Sequence, residues 1–256
     1  MITIKKPEEI ERLRECGKRL ARILGGLAGA VAPGVSTLEL ETLARKLMKE
    51  EGVLPAFLHL TPYGATRPYP ASICVSINDA IVHGIPNENP KTIKDGDIVS
   101  IDTAVIYEDM YTDSALTVPA GAIDDEAKKL MDVTREALYE GIKVIRSGVR
   151  TGDIGAAIEK YVKPFGYGIV RELSGHGVGY ELHEDPYVPN YGKKGTGEKL
   201  VSGMVIAIEP MLNEGTERIV LEDDGYTYRT YDKKRSAHFE HTIVVTDNGA
   251  EVLTLI

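Results

Sequence analysis

The fold is decided by the stretch Gly96-Asp97-Ile98-Val99-Ser100-Ile101-Asp102, because its pattern returns in Gly203-Met204-Val205-Ile206-Ala207-Ile208-Glu209. In both stretches a glycine precedes an aliphatic run that predicts a strand, and an acid ends that run. A second acid then leads into the next strand-like run, Asp113 in the first half and Glu240 in the second. Two matches in the same order predict a duplicated half-domain with approximate two-fold symmetry. We place the halves at about residues 1–121 and 122–256 of one domain.

An acid inside an apolar strand is unusual and needs an explanation. With strand alternation, Asp102 shares a face with Ser100 and Ala104, and Glu209 shares one with Ala207. These small neighbours leave space around each carboxylate. A buried carboxylate needs a cation partner or a metal, since burying it unpaired is very costly. The alternative is that these acids face solvent or pair with distant residues.

Composition and charge exclude several classes of protein. The 256 residues include 30 basic and 39 acidic side chains, which gives a net charge of −9. No basic run is longer than residues 233–235, which argues against binding to nucleic acids, because such binding usually depends on clustered cations. Only two cysteines are present, which suggests a reducing compartment. Because neither a signal peptide nor a membrane-spanning stretch is recognisable, we expect a cytoplasmic protein that binds no membrane.

The hydrophobic periodicity predicts an α+β architecture. Helical spacing and capping signals predict helices near residues 7–27, 36–50, 124–146 and 153–162. Strand-like runs are residues 72–77, 98–106, 115–118, 168–173, 204–208, 219–221, 226–231 and 241–246. The two kinds of element mix without a strict βαβ rhythm, which favours α+β over a doubly wound parallel sheet.

The four acids of the repeat point to a metal centre. If the two halves face one another, Asp102, Asp113, Glu209 and Glu240 converge on the axis between them. Carboxylates that lie close together repel one another, and divalent cations relieve this repulsion. Carboxylates that bridge two ions about 3.5–4 Å apart form sites that activate water and polarise carbonyl or phosphoryl oxygens.

Histidines near these acids affect which metal is expected. His176 stands between two glycines, His183 precedes a turn marked by Pro186, and His83 follows the strand that ends near residue 77. An imidazole ligand shifts the preference from Mg²⁺ or Ca²⁺ towards Mn, Fe, Co or Zn. The alternative is that these histidines lie exposed in turns. The remaining three, His59, His238 and His241, are weaker candidates, and core packing is the expected role of His241.

Other catalytic classes lack their motifs. The chain contains no Gly-x-Ser-x-Gly elbow for a nucleophilic serine and no Gly-x-x-x-x-Gly-Lys-Ser/Thr phosphate loop. Cys74 could act as a thiol nucleophile beside a histidine, but a lone cysteine in a strand is usually a packing residue. Metal-dependent hydrolysis is therefore the chemistry that the residues favour.

Seven motifs together resemble the type I methionine aminopeptidases. They are His83-Gly84-Ile85-Pro86, residues 97–102, Thr112-Asp113-Ser114-Ala115, residues 175–179, residues 182–186, Ile208-Glu209-Pro210-Met211 and Phe239-Glu240-His241-Thr242. The resemblance covers essentially the whole chain and implies the pita-bread fold, in which two related α+β halves surround a central, largely antiparallel sheet. It also implies a dinuclear metal centre. The short spacing from His183 to Glu209 resembles type I and not type II members of the family.

The resemblance also implies a role for each residue of the site. Two divalent ions (Co, Mn, Fe or Zn) would be held by Asp102, Asp113, His176, Glu209 and Glu240, with Asp113 and Glu240 bridging them. His83, His183 and Glu209 would be the catalytic residues, with Glu209 as the general base. The substrate would contact His83, His183, Tyr69, Cys74 and Tyr226.

Four positions depart from the family's pattern. An aromatic residue usually stands where this chain has Thr66, phenylalanine at Leu182, tryptophan at Tyr226 and glycine at Thr112. The implied function is removal of N-terminal methionine from nascent proteins by a cytoplasmic monomer, near the ribosome exit. A broader aminopeptidase of the same fold and a non-catalytic binding protein are the alternatives.

Overall fold

The computed structural model of the protein describes residues 1–62 and 64–255. In these ranges the helices are α1 (Pro7–Ala30), α2 (Thr37–Glu51), α3 (Asp125–Lys143) and α4 (Thr151–Val162), with a 3₁₀ turn at Lys163–Phe165. The strands of the first half are β1 (Leu54–Pro55), β2 (Cys74–Ile77), β3 (Ala80–Val82), β4 (Ile98–Tyr107) and β5 (Met110–Pro119). Those of the second half are β6 (Gly168–Ile169), β7 (Gly175–Gly177), β8 (Glu184–Val188), β9 (Val205–Ile208), β10 (Met211–Asn213), β11 (Ile219–Leu221), β12 (Tyr228–Thr230), β13 (Ser236–His238), β14 (Glu240–Val245) and β15 (Ala250–Val252).

One antiparallel sheet joins the two halves of the chain. Its strands run in the order β1-β4-β5-β14-β9-β7-β8, with β2 also paired to β4 and β15 to β14. The halves meet where β5 pairs with β14, at Glu240 opposite Ala115 and His241 opposite Ser114. The remaining strands form two three-stranded sheets, β13-β10-β6 and β11-β12-β3. The mixture of helices and largely antiparallel strands confirms the α+β class.

Each half packs its own helix pair against the central sheet. In the first half, buried side chains of α1 and α2 pack against Val99, Ile101 and Val105 of β4. In the second half, α3 and α4 pack against the isoleucines of β9 and against Ile243 of β14. Ser100, Asp102 and Ala104 alternate with the β4 residues that contact the helices, so they face the opposite side of the sheet. The sheet therefore has one face for the core and one for a site.

Helix boundaries follow the capping signals in the sequence. Ser36 Oγ accepts a bond from Glu39 N, the Glu39 carboxylate accepts one from Ser36 N, and Gly52 ends α2 at a φ of 67°. The α3 helix ends at Lys143, short of the predicted residue 146, because Ile145 N bonds to Ile142 O in a tighter turn. None of the helices in the described ranges combines the length and the apolar character that crossing a bilayer requires.

The symmetry of the repeat is less regular than its sequence pattern predicts. Asp102 does not end its strand and Asp113 does not begin one, because β4 and β5 form a long hairpin in which both acids lie mid-strand. In the second half Glu209 directly follows β9 and Glu240 opens β14, as predicted. The strands predicted at residues 219–221 and 226–231 are present as β11 and β12, which pair with Ile219 opposite Thr230. The strand predicted at residues 168–173 is only Gly168–Ile169.

Candidate metal centre and substrate pocket

The register of three strands brings three of the predicted acids onto one face of the sheet. Asp102 lies opposite Ala115, and Ala115 lies opposite Glu240 on its other side. Asp113 precedes Ala115 by two residues and lies opposite Ala104. Directly opposed residues and residues two apart share a face of a sheet. The alanines between the acids have no bulk, so the three carboxylates converge, as predicted.

The fourth acid, Glu209, is carried by the neighbouring strand. The β9–β14 ladder pairs Ile208 with His241, which places Glu209 beside Glu240. Asn190 is fully buried, and its Nδ2 donates to the main-chain oxygen of Glu209 at 3.1 Å. The main chain of this acid is thereby fixed just beyond the end of the strand.

His176 reaches the same point from β7, and the flanking glycines allow close strand packing. A Cβ at Gly175 would lie 2.3 Å from Ala207 O, and one at Gly177 would lie 2.2 Å from Asp185 O. These glycines are therefore needed for contact between strands and not for the approach of a ligand. The Nδ1 of His176 lies 2.9 Å from Gly177 O. Since Nδ1 can donate to this oxygen, Nε2 remains a free acceptor, as in a metal-binding histidine.

Distances within this cluster suit a metal ion. The Nε2 of His176 lies 3.7 Å from Glu209 Oε1 and 3.9 Å from Asp113 Oδ2. One donor atom from each of Asp113, His176 and Glu240 lies within 4.8 Å of the other two. Mixed oxygen and nitrogen donors of this kind suit Mn, Fe, Co and Zn better than Mg²⁺ or Ca²⁺.

The electrostatics of the cluster also indicate a cation. Burial raises the pKa of Asp102, Glu209 and Glu240 well above the usual range, and the neighbouring Asp113 carboxylate raises each of them further. Burial raises the pKa of Asp113 to about 7. Asp102 Oδ1, Asp113 Oδ1 and Glu240 Oε1 are buried and accept no hydrogen bond from the described residues. Buried acceptors without donors fit bound cations, so the donor set is chemically suited to metal.

We expect the chelator-treated protein to lose stability as the pH rises above 7. Because the pKa of each cluster carboxyl is higher in the fold than in the unfolded chain, its contribution is complete only below about pH 4. That contribution is lost as the pH rises through the folded pKa. The buried histidines have lowered pKa values and act in the opposite direction, but only below about pH 7. Thermal melts test this, and a saturating divalent metal should remove the loss.

A small cavity opens directly above the acids. It encloses about 150 Å³, which is roughly the volume of an engineered protein cavity that holds one benzene molecule. Acids, histidines and apolar residues line it: Phe57, Leu60, Pro62, Tyr69, Cys74, His83, Asp102, Asp113, His176, His183, Glu209, Tyr226 and Glu240. All of the predicted metal-binding, catalytic and substrate-contacting residues are therefore brought to one cavity.

Aromatic residues form the apolar wall of this cavity. The ring of Tyr69 meets that of Tyr226 edge-on at 5.1 Å and that of Phe57 at 6.3 Å. The Tyr69 hydroxyl donates to Ile73 O or Gly84 O, and the Tyr226 hydroxyl donates to Arg67 O. Both hydroxyl groups thus bond to main-chain oxygens, and the two residues present only their rings to the cavity. Phe57 and Leu60 were not predicted, because no motif or periodic pattern marks this irregular segment.

Cys74 lies in the wall and is not a nucleophile. It is 3% exposed, and burial raises the pKa of its thiol well above the usual range. Because the thiolate is the reactive form of cysteine, a raised pKa disfavours nucleophilic attack. The sequence-based choice of a packing role over thiol catalysis agrees with this environment.

Two further histidines border the cavity. The His176 and His183 rings meet edge-on at 4.5 Å. His83 has a positive φ of 59°, a conformation that is uncommon for residues other than glycine. Burial, together with the neighbouring His183, lowers the pKa of His83 to about 4. Desolvation inside the cavity also lowers the pKa of His183, although part of its ring reaches solvent. Both rings are therefore neutral at pH 7.

A buried ion pair holds the loop that carries His183. The Lys5 ammonium lies 2.6 Å from Glu184 Oε2, and both side chains are nearly inaccessible to solvent. The other oxygen, Oε1, accepts bonds from Tyr180 N at 2.6 Å and Glu181 N at 3.1 Å. Lys5 N also donates to Gly203 O. The N-terminal segment thus fixes the residues on both sides of His183.

Most of the positions at which this chain departs from the family's pattern do not line the cavity. Leu182 is buried and packs against the tyrosines of the wall without lining the cavity. Thr66 is exposed, and the neighbouring Tyr63 lies outside the described residues. Thr112 faces away from the acids, because it alternates with Asp113 along β5, and its Oγ1 lies 3.1 Å from Cys16 Sγ. Of the four departures, only Tyr226 lines the cavity.

The three weaker histidines differ in their positions. His59 is exposed, and His241 packs beside Tyr139 with its Nδ1 2.8 Å from Thr254 Oγ1, away from the cavity. His238 is 1% exposed, and its Nε2 lies 3.7 Å from Glu209 Oε2. No strong sequence signal marks this contact, since it depends on the pairing of β13 with β10.

Comparison with known proteins agrees with the fold and the cavity. The profile of metallopeptidase family M24 matches residues 11–247. The chain belongs to metallopeptidase family M24. A methionine aminopeptidase from Clostridium acetobutylicum is 44% identical over 255 residues, which cover 100% of this chain and 99% of that protein.

Solved structures with the same fold include two enzymes of known name. A crystal structure of methionine aminopeptidase from Thermotoga maritima matches with a TM-score of 0.95 and 45% identity over 100% of both chains. A prolidase from Pyrococcus furiosus matches less closely, with a TM-score of 0.77 and 25% identity over 99% of this chain and 65% of the prolidase. The predicted resemblance to the methionine aminopeptidases and the predicted pita-bread fold are both confirmed.

Proposed function

We propose that this M24 protein hydrolyses the first peptide bond of nascent proteins and peptides and releases the N-terminal methionine. One observation carries the proposal: buried acids and histidines converge beneath a small cavity with an aromatic wall. Relatives named methionine aminopeptidase that match the full length of the chain support the same activity. The much lower identity to the prolidase favours this reaction over cleavage before proline.

The donor set suits two divalent ions. Asp102, Asp113, His176, Glu209 and Glu240 would hold them, with Asp113 and Glu240 shared between the two. The buried, unpartnered oxygens of Asp102, Asp113 and Glu240 support this assignment. Divalent ions bound there would lower the pKa of water and polarise the substrate carbonyl. The donors fit Co, Mn, Fe or Zn.

Side chains of the protein would accept the proton and stabilise the developing charges. Glu209 accepts the proton of the attacking water, because it stands at the floor of the cavity with its side chain 15% exposed. His183, at the mouth, and His83, in the wall, are neutral and can donate hydrogen bonds. They stabilise the charge that develops on the carbonyl oxygen and the departing amine.

The cavity selects the first residue of the substrate. Tyr69, Cys74 and Tyr226 contact its side chain, and Phe57 and Leu60 extend the same apolar wall. A cavity of about 150 Å³ has room for one apolar side chain of moderate size. Apolar pockets separate side chains that differ by one methylene by only about 10–200-fold, so the preference for methionine over leucine is a matter of degree.

A peptide panel tests the proposed activity. Metal-reconstituted protein is incubated with Met-Ala-Ser, Leu-Ala-Ser and Ala-Pro peptides, and the released amino acid is quantified. Release of methionine alone, or at least tenfold faster than leucine, supports the proposal. Comparable release from Met and Leu peptides would show the broader aminopeptidase, and no release from any would show a non-catalytic binding protein. Metal analysis of protein purified without added ions identifies the ion.

We also propose that the enzyme works as a cytoplasmic monomer close to the ribosome. Two buried cysteines without a disulfide are typical of a reducing compartment. Nascent chains present N-terminal methionine at the ribosome, so proximity would favour processing. Light scattering tests the monomer, and co-sedimentation with ribosomes at physiological salt tests the association.

A further inference from the structure

We infer that His238 is a positioning residue for Glu209, because its Nε2–H donates a hydrogen bond to Oε2 and orients the carboxylate. This inference rests on the proposed function only in assigning Glu209 to the reaction. The sequence pattern marked His238 as a weak candidate, and its ring lies outside the cavity lining. It acts through Glu209 and does not touch the substrate.

The observation that carries the inference is an unpartnered buried imidazole. His238 is 1% exposed, and neither ring nitrogen has a hydrogen-bond partner among the described residues. Its Nε2 lies 3.7 Å from Glu209 Oε2. A neutral imidazole carries one N–H, and buried donors are nearly always satisfied in folded proteins. A movement of about 0.5–1 Å would bring this pair to hydrogen-bond distance.

The hydroxyl of Thr117 holds the main chain of His238 in place for this contact. Thr117 Oγ1 accepts a bond from His238 N at 2.9 Å and donates to His238 O at 2.8 Å. The same hydroxyl lies 2.8 Å from Ser100 Oγ. Thr117 and Ser100 lie on β5 and β4, so the first half of the chain positions a histidine of the second. The imidazole is thereby anchored behind the acid.

The two carboxylate oxygens of Glu209 have different neighbours and therefore different roles. Oε1 lies 3.7 Å from His176 Nε2, on the side of the proposed ligands, while Oε2 lies on the side of His238. A hydrogen bond at Oε2 fixes the rotation of the carboxylate and leaves Oε1 directed to the metal site. Hydrogen bonds from outside the ligand shell commonly orient ligands in this way.

The test compares two substitutions with a matched control. His238→Gln keeps an N–H donor, and His238→Leu removes it at similar bulk. His241→Gln removes a half-buried imidazole outside the cavity. We expect His238→Leu to lower kcat on Met-Ala-Ser and the metal affinity measured by titration calorimetry, each about 10–100-fold, with KM within about twofold. His238→Gln and His241→Gln should stay within about threefold of the wild type.

Two results would overturn the inference. One is a His238→Leu variant with the kcat and metal affinity of the wild type. The other is a His238→Gln variant as impaired as His238→Leu, because the defect would then reflect packing alone. If the wild type hydrolyses none of the peptides, the proposed function fails, yet the metal affinities of the variants still decide the role of His238.

A spectroscopic measurement covers the case in which the leucine variant does not fold. In wild-type protein loaded with zinc and labelled with ¹⁵N-histidine, we expect His238 in the neutral form with the proton on Nε2, coupled to a carboxylate acceptor. A proton on Nδ1, or an Nε2 bound directly to zinc, would contradict the hydrogen bond to Glu209. Assignment uses the loss of the signal in His238→Gln.

Discussion

Replacing Asp113 by asparagine is expected to abolish both metal retention and peptide hydrolysis. Asp113 stands at the centre of the cluster: its carboxylate lies 3.9 Å from His176 Nε2 and raises the pKa of Asp102, Glu209 and Glu240. The amide keeps the shape but loses the negative charge that a shared ligand supplies. We expect activity on Met-Ala-Ser to fall at least about 10³-fold, because metal-activated water and carbonyl polarisation are lost together.

The matched control for this variant lies in the same hairpin. Asp109→Asn removes the same charge from an exposed turn residue whose φ of 62° asparagine tolerates. It should keep full metal content and activity. Without metal, Asp113→Asn should melt no lower than the wild type, because it removes a buried charge from a group of like charges. Metal content is measured after gel filtration, and an active, metal-replete Asp113→Asn would refute the assignment.

Much of the cluster was predictable because the alternation of side chains along a strand is encoded locally. The alternation along β4 already places Asp102 and Ala104 on the face away from the helices. The duplication then predicts where the second pair, Glu209 and Glu240, must lie. Side chains that follow a period of two can be assigned to a face from sequence alone.

The parts that were not predicted depend on contacts between distant segments. Phe57 and Leu60 belong to an irregular segment, so no periodicity assigns them to the cavity wall. His238 reaches Glu209 only because Met211 pairs with it across two short strands. The glycines around His176 are needed for close packing against strands that are distant in sequence. Such features follow from tertiary packing, which a single sequence does not specify.

Replacing His183 by alanine is expected to lower kcat about 10²–10³-fold while metal content stays unchanged. His183 is not among the proposed ligands, but its ring meets that of His176 at 4.5 Å and borders the cavity. Removing one hydrogen-bond donor that stabilises a developing charge typically has an effect of this size on kcat. KM for Met-Ala-Ser should change little, since the cavity wall that contacts the methionine side chain is intact. Steady-state kinetics and metal analysis measure both.

A control variant distinguishes a catalytic role of His183 from a structural role in its loop. His59→Asn replaces an exposed histidine with a φ of 66° by a residue that tolerates this conformation, and it should behave as the wild type. Since Glu184 accepts bonds from Tyr180 N and Glu181 N and pairs with Lys5, the loop should keep its shape without the His183 ring. A His183→Ala variant with normal kcat would therefore show that the ring has no part in stabilising the transition state, and one that loses its metal would assign the ring to metal binding instead.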